Sequence, residues 1–125
     1  MFGETALKAA ALCRANPQKL PAEAWIEAIQ TISTSLNTRK KGCPKATFTG
    51  LCDAGYVIDI PARPGGTIGV NAGYAVAALK ELQAEPTLVE QPSELWKRVG
   101  HGGKGDGQVD VLLALWKAGV ISSKT

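Results

Sequence analysis

The stretch Leu51-Cys52-Asp53-Ala54-Gly55-Tyr56-Val57-Ile58 returns near the end of the chain as Leu115-Trp116-Lys117-Ala118-Gly119-Val120-Ile121. Both read as the last turn of a helix, an alanine-glycine stop and a short apolar stub, with Gly55 and Gly119 where a left-handed residue closes a helix at little cost. Working outward, Trp25 in PAEAWIEAI matches Trp96 in PSELWKRV, and Ala6-Leu7-Lys8-Ala9-Ala10 matches Ala75-Val76-Ala77-Ala78-Leu79. The landmarks recur in one order at offsets of 69, 71 and 64 residues (6 to 75, 25 to 96, 51 to 115). The drop from 71 to 64 places about seven extra residues between the second and third elements of the first copy. An internal repeat follows. It predicts a single domain over residues 1–125, with repeat one at about 3–60, a hairpin or linker at about 57–70 and repeat two at about 71–121.

Within each copy the periodicity is helical. Ala22, Trp25, Ile26, Ile29, Ile32 and Leu36 recur at i, i+3, i+4, i+7 spacing, with Glu23, Glu27 and Gln30 on the other side, which predicts one amphipathic helix. Pro21 and Pro92 occupy first-turn positions, where proline is tolerated. First elements are expected at Thr5 to Ala15 and Tyr74 to Glu85, the latter with Asn71 or a neighbour as N-cap. Third elements are expected at Pro44 to Ala54, with Phe48, Leu51 and Cys52 inward, and at Gln108 to Ala118, with Val109, Leu112, Leu113 and Trp116 inward. Between the copies, YVIDIPARPGGTIGVN reads as a short β-hairpin or an extended linker, and its prolines confine any strand to an edge. The expected fold is mostly α: two tandem three-helix, helix-turn-helix-like repeats packed as one domain.

Composition bounds the function. At 125 residues, 45% apolar and 20% charged, the chain has room for one compact domain with a core. No apolar run approaches the roughly 18 residues of a membrane span, and the start MFGETALKAAALCRANPQK has no basic region ahead of its apolar stretch. Three cysteines, Cys13, Cys43 and Cys52, are an odd number that suits reduced thiols, so the expected location is cytoplasmic, of bacterial type. The net charge of +3 is too small to dictate a partner, but it is unevenly placed. Residues 1–70 carry 8 basic and 5 acidic groups and residues 71–125 carry 6 of each, so the whole excess lies in the first half.

Three helices closed by L-x-x-A-G and an apolar stub resemble the helix-turn-helix and winged-helix superfamily over about fifty residues of each copy. Beyond that, GCPKATFTGLCDAGYV, the stretch from Asn71 to Ala78, Leu95-Trp96 and the run from Gln108 to Gly119 resemble an uncharacterised family of small bacterial proteins, over nearly the whole chain. The resemblance implies fold boundaries and no activity.

The expected function is a non-enzymatic binding module. Asn37 to Lys45 gathers Arg39, Lys40, Lys41 and Lys45 just before a predicted helix start, where free N–H groups and the helix dipole also favour an anion. The matching region of the second copy holds Lys97, Arg98 and Lys104. Seven cations in two equivalent turns point to the backbone of DNA or RNA, or second to another phosphate-bearing partner, and one continuous positive surface is expected of them. Base-reading side chains are few: Lys45, Thr47 and Thr49, and Gln108. The alternative is a protein partner docking on Val57, Ile58, Ile60, Ile68 and Val70.

Other motifs carry less. Gly100-His101-Gly102-Gly103-Lys104-Gly105 satisfies G-x-G-x-x-G, but no strand precedes it and no acid follows about 20 residues on, so a glycine loop is the plainer reading. Cys43, near a helix start between Lys41 and Lys45, is the best nucleophile and would make a remote cysteine-dependent enzyme, with His101 as its only imidazole. No cofactor and no metal are expected, because the cysteines lack ligand spacing. Trp25, Trp96 and Trp116 read as core residues. The Glu23/Glu27 and Glu90/Glu94 pairs read as solvated faces.

Overall fold

The computed structural model describes residues 1–63, 68–100, 102–103 and 105–122. It is mostly helical: α1 (Phe2–Ala15), α2 (Pro21–Ile32), the single turn α3 (Leu36–Arg39), α4 (Gly42–Asp53), α5 (Gly69–Ala84), α6 (Pro92–Val99) and α7 (Gln108–Lys117). A 3₁₀ turn, Pro86–Glu90, links α5 to α6. α3 and this turn come in addition to the helices that periodicity predicts. Both are too short to show a period.

α1 and α2 meet through alanines. Ala6, Ala9 and Ala10 of α1 and Ala24 and Ala28 of α2 are fully buried, and side chains this small let helix axes approach closely. That contact rotates α2 relative to expectation. Its inner face is Pro21, Ala24, Trp25, Ala28 and Ile29, while Ile26 and Leu36 are exposed at 46% and 65%. Trp25 packs on Phe48 of α4 with ring centroids 5.7 Å apart.

The halves are interleaved. α1 crosses α7, and α5 crosses α4. A Cβ on Gly3 would come 2.8 Å from Ala114 Cβ, and one on Gly50 would collide with Ala72 Cβ and stand 2.6 Å from the Ile68 carbonyl oxygen. Two close helix crossings therefore each depend on a missing side chain. α4 and α7 also touch, and six of the twelve residues of α4 and six of the ten of α7 are buried.

Both third helices close alike. Gly55 and Gly119 take φ of 84° and 73°. Tyr56 N–H donates to Leu51 O at 2.9 Å and Val120 N–H to Leu115 O at 3.1 Å, which satisfies carbonyls that the helix end leaves free. The stubs then pair with each other. Val57 and Ile121 form an antiparallel bridge, flanked by Ile58 N–H to Val120 O and Ser122 N–H to Tyr56 O, both 2.8 Å.

Among the described residues no strand forms, and the turn expected for a hairpin at 64–67 lies outside them. The apolar character of Val57 arises instead from its pairing across the molecule, where it is 2% exposed. α5 starts at Gly69, earlier than expected, so Asn71 lies inside the helix and is not its N-cap. Its Oδ1 accepts from Gln108 Nε2 of α7 at 3.0 Å. The tight turn of a helix-turn-helix is also missing. Residues 33–41 separate α2 from α4 and residues 100–107 separate α6 from α7, where that motif has three or four.

Candidate anion-binding face

Lys41 Nζ lies 3.0 Å from Asp106 Oδ1, and a Cβ on Gly107 would stand 2.7 Å from Pro44 Cγ. The turns before α4 and α7 therefore lie side by side. The sequence-predicted cations within them behave differently from one another.

Arg39 is half-buried and serves α2. Its Nε donates to Ser33 O at 2.6 Å and its second guanidinium nitrogen to Gln30 O at 3.0 Å, so it closes the C-terminal end of that helix. Arg98 is surrounded by Glu94, Glu85 and Glu81 at 3.1, 3.3 and 3.5 Å, and the hydrogen bond to Glu94, first among these influences, holds its charge more firmly than usual. Lys97 is exposed on a groove that also presents Glu90 and Glu94. Lys104 and His101 lie outside the described residues. Lys40 is exposed in the turn before α4, and Lys45 is half-exposed on α4 itself. The face thus gathers Lys40 and Lys45, with Lys41 beside them paired to Asp106, while Arg39 and Arg98 are occupied locally.

Lys45 opens on a cavity of about 450 Å³ running along α4, walled by Leu20, Pro21, Ala22, Ala46, Thr49, Asp53 and Arg63. Arg63 is absent from the sequence expectation because nothing in ARPGG gives its position. Arg63 N–H donates to Asp53 O at 2.9 Å, which lays the linker against the end of α4. Asp53 Oδ1 is buried without a hydrogen-bond partner among the described residues. Thr47 is buried, its hydroxyl donating to Cys43 O at 2.8 Å, and so is Gln108. Neither presents a side chain to a base.

Cys43 sits in the first turn of α4, but the thiolate expected there is disfavoured. Burial pushes its pKa up first, the Asp106 charge and hydrogen bond add to that, and Lys41 opposes only weakly. Asp106, sixty-three positions away in sequence, carries no local signal of this contact. All three thiols are free, and burial raises Cys13 and Cys52 as well.

The glycine loop after α6 has its own reason. A Cβ on Gly100 would stand 2.5 Å from Trp96 Cε2, and one on Gly105 would stand 3.3 Å from the same ring. Trp96 Nε1–H donates to Gly103 O at 2.9 Å. The loop wraps an indole. Trp96 itself is half-exposed, as is Trp116, so of the three tryptophans only Trp25 is fully in the core. Of the residues proposed for a protein partner, Val57 and Ile60 are buried and Ile68 is half-buried, which leaves Ile58 and Val70 exposed.

No helix among the described residues is long and apolar enough to cross a membrane, and no group of three metal-ligating side chains occurs among them. No curated protein and no solved structure matches the chain. The model of the family described as "Family of unknown function (DUF6979)" matches residues 1–122, so the chain belongs to that family.

Proposed function

We propose that the chain is a duplicated helical module that binds the phosphate backbone of nucleic acid, without catalysis, through the basic face of its first half. One observation carries the reading: Lys45 and Arg63 open on a single cavity along α4, with exposed Lys40 in the turn before that helix. The charge distribution supports it, since the net +3 lies within residues 1–70. The three free thiols suit a reducing, cytosolic setting of bacterial type.

The duplication is supported by contacts that obey the sequence offsets. Adding 64 to Val57 gives Ile121, its bridge partner. Adding 69 to Gly3 and 64 to Gly50 gives Ala72 and Ala114, so the Gly3–Ala114 crossing and the Gly50–Ala72 crossing are the same contact seen from each half. Such exchange describes a two-fold relation with its axis near the bridge and near the two turns. The open stripe of α4 offers only Lys45, Ala46, Thr49 and Asp53, and Thr47 and Gln108 are buried, so the arrangement suits sequence-independent contact with phosphates rather than base reading by a helix in a major groove.

Binding of mixed-sequence DNA and RNA, single- and double-stranded, measured by fluorescence anisotropy across a salt series tests this. Two or three phosphate contacts should give a slope of log K against log salt of about −2 to −3. Lys40→Glu with Lys45→Glu should abolish binding with little change in melting temperature, because exposed charges contribute little to stability. Lack of binding at low salt, or unchanged binding in the charge-reversed protein, overturns the reading. A protein partner is the second reading, favoured by Ile58 and Val70, which are 40% and 74% exposed. Its binding would be weakly salt-dependent and sensitive to Ile58→Asp.

A further inference from the structure

The backbone-binding reading leaves the glycine-rich turn and Trp96 without a task. The indole is firmly held: Nε1–H bonds to Gly103 O, Tyr74 meets the ring edge-on at 5.2 Å, and Gly100 leaves the space it fills. A tryptophan so fixed is usually a core residue. Its sequence counterpart Trp25 is one, at 1% exposure, whereas Trp96 stays half-exposed.

What Trp96 faces is a cavity of about 380 Å³, walled also by Pro92, Ser93, Gly105, Val109 and Asp110. It occupies the place in the second half, between the starts of α6 and α7, that the Lys45 groove occupies beside the starts of α2 and α4. Its charge is opposite. Asp110 stands on the site of Ala46 and Val109 on that of Lys45, by the offset of 64. Asp110 is exposed and is one of the residues that wall this cavity.

We infer that this cavity is a binding site for a small organic cation, an alkylated ammonium or a guanidinium group, held between the Trp96 indole and the Asp110 carboxylate. The face of an indole is electron-rich and attracts a cation placed over it. Pro92 and Val109 add apolar contact that suits alkyl groups around the charge. A sodium ion keeps a tight water shell and gains nothing from such walls, so the site selects weakly hydrated cations. The adjoining groove, which shares Pro92 and Ser93 with this cavity, presents two carboxylates, Glu90 and Glu94, against the single cation Lys97. Asp110 disfavours an anion in this cavity, and its walls share no residue with the Lys45 groove, so the site is separate from the backbone-binding face.

The experiment follows the three tryptophan indole N–H signals of the whole chain by two-dimensional ¹H–¹⁵N NMR. The signal missing in Trp96→Phe identifies Trp96. Tetramethylammonium chloride and arginine ethyl ester are titrated separately, with sodium chloride at the same concentration as the control. A saturable shift of the Trp96 signal with either probe and not with sodium, weakened about two- to fivefold by Asp110→Asn and restored by Asp110→Glu, supports the site. Lys40→Glu with Lys45→Glu should leave it unchanged. Absence of a shift, the same shift with sodium chloride, or an affinity unaffected by Asp110→Asn overturns it.

Discussion

Arg39 and Lys40 are neighbours with unlike fates. Both belong to the basic run that the sequence marks as an anion contact, yet Arg39 donates to two carbonyls at the end of α2 while Lys40 extends into solvent. Charged donors on carbonyls contribute to stability even when half-exposed, so Arg39→Ala should lower unfolding free energy by about 1 kcal/mol in a urea titration. Lys40→Ala should change it by less than about 0.5 kcal/mol. Equal effects would show that Arg39 does not close the helix. Cys43 permits a second test at this scale. Its thiol is held above the ordinary range by burial, then by Asp106. The thiolate fraction at neutral pH is therefore smaller than in a free cysteine, and alkylation by iodoacetamide at pH 7.5 should be slower than for a model peptide. The rate should climb with pH through the alkaline range. Asp106→Asn removes an opposing charge and should accelerate the reaction at fixed pH; a slower rate in that variant would overturn the assignment of Asp106 as a cause.

At the scale of elements, a glycine inside a helix ordinarily costs stability relative to alanine. Gly50 reverses that sign, because a Cβ there collides with Ala72 Cβ where α4 and α5 cross. Gly50→Ala should destabilise by about 1–3 kcal/mol, the usual cost of overpacking a close contact. Moving the methyl across the crossing, Gly50→Ala with Ala72→Gly, relieves the collision with Ala72 but leaves the Ile68 carbonyl oxygen at 2.6 Å, so the double variant should recover part of the loss in the same denaturation series. No recovery would mean that the backbone contact dominates. The example also shows what was legible in the sequence. The third helices and their glycine stops were, because periodicity and a glycine after the last turn are local signals. The inner face of α2 was not, because the larger Ile26 outweighs Ala24 and Ala28 in a reading by hydrophobicity, whereas the actual partner, α1, selects small residues. The candidate site was legible only in part for the same reason. Local spacing gives Lys40 and Lys45, and it also holds the i,i+4 pair of Glu94 with Arg98, a signal that the reading of Arg98 as a free cation passed over; the Ser33 and Gln30 carbonyls that take Arg39, the arrival of Glu81 and Glu85 at Arg98 and of Arg63 beside α4 are set by the fold.

The whole molecule combines these contacts into one exchange. The ion pair of Lys41 with Asp106 joins the turns at one end of α4 and α7, and the Val57–Ile121 bridge joins the stubs at the other. Between them each half lends its first helix to the third helix of the other. This explains why the two halves of the chain do not form two separate lobes. Taken alone, residues 1–63 keep the α1–α2 contact and the Trp25–Phe48 pair but lose α7 from over α1 and α5 from over α4, which would bare Gly3, Gly50 and the apolar faces they sit in. So few residues with half a core cannot offset their conformational entropy. The fragment 1–63 should show some helix by far-ultraviolet circular dichroism, little near-ultraviolet signal from Trp25, and no cooperative melt. Adding the fragment 68–125 should restore a 1:1 complex with a near-ultraviolet spectrum like that of the intact chain and a cooperative, concentration-dependent transition. Gly50→Ala in the first fragment should weaken that association, because the crossing it disturbs lies between the fragments. If residues 1–63 instead melt cooperatively by themselves, the halves are separate folding units and the exchange of first helices is not what holds the molecule together.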